Sequence, residues 1–349
     1  MENKNIRNSS FELLRLIAMF SIVVYHQFLF LKAQGHAETW ILGGYTITHF
    51  GVPLFLLITG YFGLKLKLQK IVHLYLYCFV WRVTTYLLGC FYFKTANYTG
   101  GQFIECLQPF TKSSGQWFLL PYFVLLLISP LLNKAINAFS KREFIKMLLV
   151  FSFIIFYFGL VCQSPFIDKG HSIIYFIYMY LIGRFLKNYN VGEVWKRKYI
   201  ASFLFVYIAF VLLANLFLPN GLLRAFRGLV FAYIAPGQIL SSVAIFLLFT
   251  KFQVKSKVIN YIAASALSIY LFHENIYIPL KEDFAVYASH FRCLDAISII
   301  LGSSLLIMIL ALTMDILFFK YVLSIIEPKL VWGLCVIKNR IITLNSINE

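Results

Sequence analysis

FELLRLIAMFSIVVYH, residues 11–26, has the apolar run of a membrane-spanning helix but carries Arg15 near one end and His26 near the other. Eleven residues at 100° each return to nearly the same azimuth, so the two side chains share one helix face. At about 1.5 Å per residue they lie about 16 Å apart along the axis, roughly half the thickness of a bilayer core. Ionisable side chains in spans are costly and turn toward a bundle interior or a water-filled cavity. This helix is therefore expected to line a site.

Composition carries the reading outward to the whole chain. Of 349 residues, 60% are hydrophobic and only 13% charged, about half the charge of a soluble protein. The fold class is an all-α integral membrane protein, because the apolar windows are about twenty residues long, not the shorter alternating strands of a barrel. About ten transmembrane helices are expected, at 10–31, 46–64, 71–93, 116–133, 145–163, 172–187, 199–218, 229–250, 258–279 and 297–319. They form a single polytopic domain over 1–349, with a tail at 320–349. The run at the N-terminus is too long for a cleavable signal and contains Arg15, so the first helix is expected to stay.

Lys65, Lys67 and Lys70, then Lys134, Lys141, Arg142 and Lys146, then Lys196, Arg197 and Lys198 fall in alternate connections. Cytoplasmic loops hold such an excess, so both termini are expected in the cytoplasm. The net charge of +17 follows mostly from this bias and gives no reason to expect nucleic acid as a partner. The six cysteines lack redox or zinc spacing; Cys106 and Cys293 both fall near outer connections and are the one pair open to bridging.

On that topology Arg15 lies in the cytoplasmic third of the first helix and His26 beyond the midplane. A guanidinium at the inner mouth suits a phosphate-bearing ligand. A neutral imidazole deeper in the bundle can take a proton from a hydroxyl in acyl transfer. The plainer alternative pairs Arg15 with Glu12, three residues away, and gives His26 a bond to a neighbouring helix.

Five stretches, taken together, resemble the membrane-bound acyltransferase 3 family. They are the Arg15 to His26 spacing, GVPLFLLITGYF (51–62), GQWFLLPYFVLLLISPLLN (115–133), YLIGRFLK (180–187) and ALSIYLFHENIY (266–277). The resemblance covers most of the chain. It implies transfer of an acyl group, expected to be acetyl from cytoplasmic acetyl-CoA, to a hydroxyl of a cell-surface polysaccharide or lipid-linked sugar across the cell membrane. His26 then takes the general-base role and Arg15 the coenzyme-binding role. No appended hydrolase-like domain is expected to assist.

The chain departs from the family pattern in two places. Thr59 stands where serine is common, which keeps a hydroxyl. Lys65, Lys67, Lys70 and His73 stand where an arginine-rich stretch with a proline is usual. Lysine lacks the bidentate grip of arginine, so Lys67 and Lys70 are candidates either for coenzyme binding or for anchoring at the inner surface.

Arg82, in the middle of the third helix, needs a partner or a cavity; Glu274 is one candidate, and a coenzyme site another. His273 and Glu274 lie at a depth similar to His26 and join it as candidate catalytic residues, the alternative being a self-satisfied pair at a helix end. Arg184 and Asp315 are expected to form an ion pair. Trp117 is either an interfacial anchor or a sugar-stacking residue. The remaining histidines lack metal spacing, and no metal is expected. A transporter or flippase for an anionic or lipid-linked precursor is the competing function, since buried arginine, histidine and glutamate also mark transport pathways.

Overall fold

The computed structural model describes residues 8–36, 38–97, 99–108, 110, 117–217 and 232–347, with side chains omitted at 215–216 and 338–347. In chain order the helices are α1 (Ser9–Ala33), α2 (Thr39–Ile47), α3 (Gly51–Phe62), α4 (Leu68–Leu88), α5 (Gly100–Leu107), α6 (Leu119–Ala138), α7 (Lys141–Phe153) and α8 (Ile173–Asn188). They continue as the single turn α9 (Val191–Val194), then α10 (Arg197–Phe217), α11 (Pro236–Thr250), α12 (Lys257–Ala263), α13 (Ala266–His273), α14 (Leu280–Ser289), α15 (Cys293–Met314) and α16 (Lys320–Ile347). Stretches of π-helix extend α4, α7 and α15, and no strand occurs among the described residues.

Seven helical runs among the described residues are long and apolar enough to cross a bilayer: Ser9–Ala33, Thr39–Phe62, Leu68–Phe93, Leu119–Ala138, Lys141–Val161, Arg197–Ala214 and Cys293–Ile337. The windows expected at 172–187 and 229–250 form α8 and α11, of 16 and 15 residues, short of that length. Residues 116, 218 and 229–231 of the expected spans lie outside the described residues, as do Gly115 and Gln116 of one motif and residues 348–349 of the tail. The window at 258–279 is not one helix but two, α12 and α13, separated at Ala264–Ser265. From Lys320 to Ile347 the chain is helical, and His73 on α4 meets Glu327 on α16 at 2.7 Å.

Two discontinuities shape the bundle. The run expected at 46–64 is interrupted between Ile47 and Gly51, where α2 ends and Pro53 enters the first turn of α3, a position that tolerates proline. Ser21 on α1 donates to the freed Thr48 carbonyl at 2.6 Å. At the second break, Lys320 donates to Ser265 Oγ at 2.8 Å. Irregular backbone at membrane depth persists only where protein groups satisfy it, as Ser21 does at the first break.

α1 is the central post. Its start is pinned by Ser9 and Ser10, whose hydroxyls accept from Ser256 N at 3.0 Å and Val254 N at 2.9 Å. Farther along, Gln27, fully buried, donates to Ser304 Oγ at 2.8 Å and Ser303 Oγ at 3.1 Å on α15. α13 and α14 also pack against α1, which brings the residues after the second break to its His26 end.

The closest crossing joins α3 to α8. A Cβ on Gly60 would lie 2.3 Å from the Tyr180 carbonyl oxygen, and one on Gly183 would lie 2.5 Å from that of Leu57. The paired glycines let two backbones touch, the usual device where lipid gives helices no hydrophobic reason to associate. α3 then stops at Gly63, whose φ of 75° suits a residue without a Cβ.

Gly60→Ala or Gly183→Ala should therefore force α3 and α8 apart and cost about 1–3 kcal/mol, the usual penalty of overpacking. Gly302→Ala, where an added Cβ meets nothing within 4 Å, should not lower stability. Thermal unfolding of the purified protein in detergent checks both.

Candidate active site

Arg15, Met19, Ile22 and His26 follow one another at helical spacing and form a stripe along α1. The lower part of that stripe lines a cavity of about 350 Å³. Arg15, Lys70 and His73 give the cavity its basic groups; Thr59, Phe118, Tyr122 and Tyr270 add rings and hydroxyls, and Met19 and Ile22 are among its apolar lining. Ile22 is one helical turn below His26. The cavity thus follows α1 from the guanidinium to within about 6 Å of the imidazole's position on the axis.

Arg15 also meets Glu12, three residues before it, so the helix-surface pairing coexists with a cavity-lining position. Thr59 donates to the Phe55 carbonyl at 2.8 Å within its own helix, which leaves its oxygen as an acceptor toward the cavity. Lys67 is exposed, immediately precedes α4, and is not among the cavity-lining residues, whereas Lys70, one turn on, is.

At the other end of the stripe, His26 Nδ1 contacts a Glu274 carboxylate oxygen, and lies 3.0 Å from His273 Nε2. His273 Nε2 is 3.4 Å from the same Glu274 oxygen, and Lys281 Nζ on α14 reaches that oxygen at 3.4 Å. The structure thus assembles His26, His273 and Glu274 from α1 and the end of α13. His273 is buried, while His26 and Glu274 keep 12% and 10% of their side chains exposed, enough to be reached.

The protons follow from the partners. His273 Nδ1 lies 2.8 Å from the Ile269 carbonyl, which only accepts, so Nδ1 carries hydrogen and the Nε2 of neutral His273 is an acceptor. His26 Nδ1 then faces two acceptors, that nitrogen and the Glu274 carboxylate, and must donate. His26 Nε2 is left with a free lone pair. An imidazole oriented by a carboxylate on one nitrogen and open on the other is the arrangement that takes a proton from a hydroxyl.

Polar neighbours fix this geometry. Asn275, next to Glu274, donates to Thr85 on α4, and its side chain accepts from Tyr277 N at 3.0 Å. Thr95 donates to the Tyr277 carbonyl at 2.8 Å. The stretch after α13 is thereby tied to α4, and Gln27 ties the residue after His26 to α15. Sequence reading missed Gln27, Asn275 and Lys281. Their signal was present, since each is a polar residue beside, or seven residues from, a residue already singled out.

Other sequence expectations meet different partners. Arg82 is buried and donates to the Gln108 carbonyl at 2.8 Å, steadying the end of α5 with a cation where carbonyls collect; it is not among the residues lining the cavity. Glu274, weighed as its partner, is engaged by His26 and Lys281. Asp315 pairs with Lys320 at 3.4 Å and accepts from Tyr77, so the ion pair expected with Arg184 is replaced by one five residues along its own helix. Cys106 and Cys293 are both free, the first buried beside α4 and the second exposed at the start of α15. Trp117 packs edge-on against His171 at 4.2 Å between ring centres and lies 5.8 Å from Tyr233.

A helical membrane bundle with a carboxylate-oriented histidine above a basic-mouthed cavity carries the groups that intramembrane group transfer needs. The comparison with protein families agrees: the family model described as an acyltransferase domain, that of the acyltransferase 3 family, matches residues 8–317. The chain belongs to that family and is a multi-pass membrane acyltransferase. No curated protein and no solved structure gives a significant match.

Gln27→Leu removes the bonds that hold α1 against α15 one residue from His26. Misplacement of a catalytic group by about 1 Å costs up to about 10²-fold, so kcat should fall while the KM for the acyl donor stays near its parent value. Steady-state kinetics on the variant and the parent provide the check.

Proposed function

We propose that the protein moves an acetyl group from acetyl-CoA, entering from the cytoplasmic side of the cell membrane, to a hydroxyl of a carbohydrate acceptor, free or lipid-linked, reaching His26 from the other side. The observation that carries this reading is the cavity along α1, basic at its Arg15 end and closing one turn below His26. Arg15 would grip coenzyme phosphate with its planar fork, and Lys70 would add positive charge at the mouth. Thr59 and Tyr122 line the path of the thioester arm. Trp117 would offer the acceptor sugar an aromatic face.

In the reaction, the acceptor hydroxyl gives its proton to His26 Nε2 as its oxygen attacks the thioester carbonyl carbon. Glu274, on Nδ1, stabilises the imidazolium that results, and His273 holds the ring from its side. The tetrahedral intermediate collapses with cleavage of the carbon–sulfur bond. The imidazolium returns the proton to the departing thiolate, so the products are an O-acyl ester and free coenzyme A. General-base assistance of this kind contributes about 10²–10⁴-fold.

The decisive assay follows labelled acetyl-CoA into a lipid-linked glycan fraction with protein in liposomes. His26→Ala should reduce turnover by about 10²–10⁴-fold. Glu274→Gln should reduce kcat with little change in donor KM, and Arg15→Ala should raise donor KM with a smaller effect on kcat. If the parent transfers no label from any acyl-CoA yet moves a glycolipid between leaflets, the transport reading replaces this one.

A further inference from the structure

His26 Nδ1, His273 Nε2 and Glu274 Oε1 lie within 4.8 Å of one another, and no part of the acyl-transfer chemistry requires a metal there. Two of their three separations nevertheless have the scale of a coordination sphere; the third pair, His26 Nδ1 and Glu274 Oε1, is in direct hydrogen-bond contact and parts to admit an ion. In a tetrahedral zinc site with bonds of about 2.0–2.1 Å, donor atoms sit about 3.3 Å apart. The two His273 distances here are 3.0 and 3.4 Å. Two histidines and a glutamate are a zinc donor set that leaves the fourth position open. His273 is further prepared by the bond from its Nδ1 to the Ile269 carbonyl, the kind of outer contact that orients a metal-binding imidazole and raises its basicity.

We propose that His26, His273 and Glu274 form a binding site for a divalent first-row cation with zinc's preferences, and that the bound ion switches off acyl transfer. This departs from the expectation of no metal. The ion would take the lone pair of His26 Nδ1, which forces that ring's proton onto Nε2, the nitrogen needed as base. Metal binding and base catalysis on His26 are therefore mutually exclusive. Lys281 opposes the ion, since its ammonium lies 3.4 Å from the same Glu274 oxygen. Its long arm and partial exposure let it swing away, so it weakens the site without closing it.

The binding half of the proposal stands on geometry alone; the inhibitory half rests on the proposed base role of His26. The test uses full-length protein in detergent, with any affinity tag removed and cobalt(II) as the spectroscopic probe, followed by zinc in the acyl-transfer assay. The parent should bind one cobalt per chain with the intense visible absorption of a four-coordinate ion. His273→Gln and Glu274→Gln should weaken binding by more than about 100-fold, since even outer contacts are worth about 10–100-fold. Lys281→Met, which deletes the competing cation and its repulsion of the ion, should tighten binding by about tenfold, so the site remains testable if a ligand variant fails to fold. His36→Gln, in a separate exposed pair with Glu38, should leave binding unchanged.

Zinc should inhibit transfer by the parent over the concentrations at which it displaces cobalt. Absence of one-to-one binding, or binding insensitive to His273→Gln, Glu274→Gln and Lys281→Met, overturns the site. Binding without inhibition of an active parent overturns the switch. A parent that binds cobalt but transfers no acyl group overturns the proposed function and leaves the site standing.

Discussion

A carboxylate at membrane depth must be paired, and Glu274 is the group on which the candidate site depends. Its oxygen gathers His26 from α1 and Lys281 from α14, with His273 beside it on α13. Removing one member of a buried charged set typically costs about 3–5 kcal/mol, because the remaining charge is stranded. That penalty explains the surroundings. α13 ends at His273, so that Glu274 emerges from a helix end; Asn275 and Thr95 tie the following turn to α4; Gln27 holds α1 against α15 beside the imidazole.

The same constraint connects the two ends of α1. A helix that presents Arg15 and His26 on one face needs a continuous protein-lined path beside that face. The cavity supplies it from Arg15 as far as Ile22, with apolar and aromatic walls between polar ends. Close contact elsewhere makes the hollow possible. Gly60 and Gly183 bring α3 and α8 to backbone contact, so Phe55 and Thr59 on α3 are held firmly against the cavity.

Much of this was legible in the sequence because its signals are local. The Arg15 to His26 spacing placed both residues on one stripe, and seven of the apolar windows fall in helical runs long enough to cross a bilayer. What was not legible depends on pairings far apart in the chain. The window at 258–279 is apolar enough to span, yet it breaks at Ala264–Ser265, where Ser265 N donates to the Ile262 carbonyl and Lys320, 55 residues later, donates to the Ser265 hydroxyl. Arg82 was read from its depth as needing a partner or a cavity; one partner is the backbone carbonyl of Gln108, invisible to any side-chain pattern. Asp315 was assigned to Arg184 by depth, when Lys320 on the same helix was nearer. The glycines of the TGYF and IGRF stretches carried a family resemblance in the sequence and a packing reason in the structure.

The central claim is that Glu274 and His273 hold the proton of His26 on Nδ1 and leave Nε2 bare. Nitrogen-15 NMR of histidine-labelled protein in bilayers, assigned by comparison with His26→Gln, reads that tautomer directly. A neutral His26 protonated on Nδ1 in the parent, with that tautomer lost in Glu274→Gln, is the expected result. A His26 that carries its proton on Nε2 in the parent, unaltered by Glu274→Gln, would contradict it.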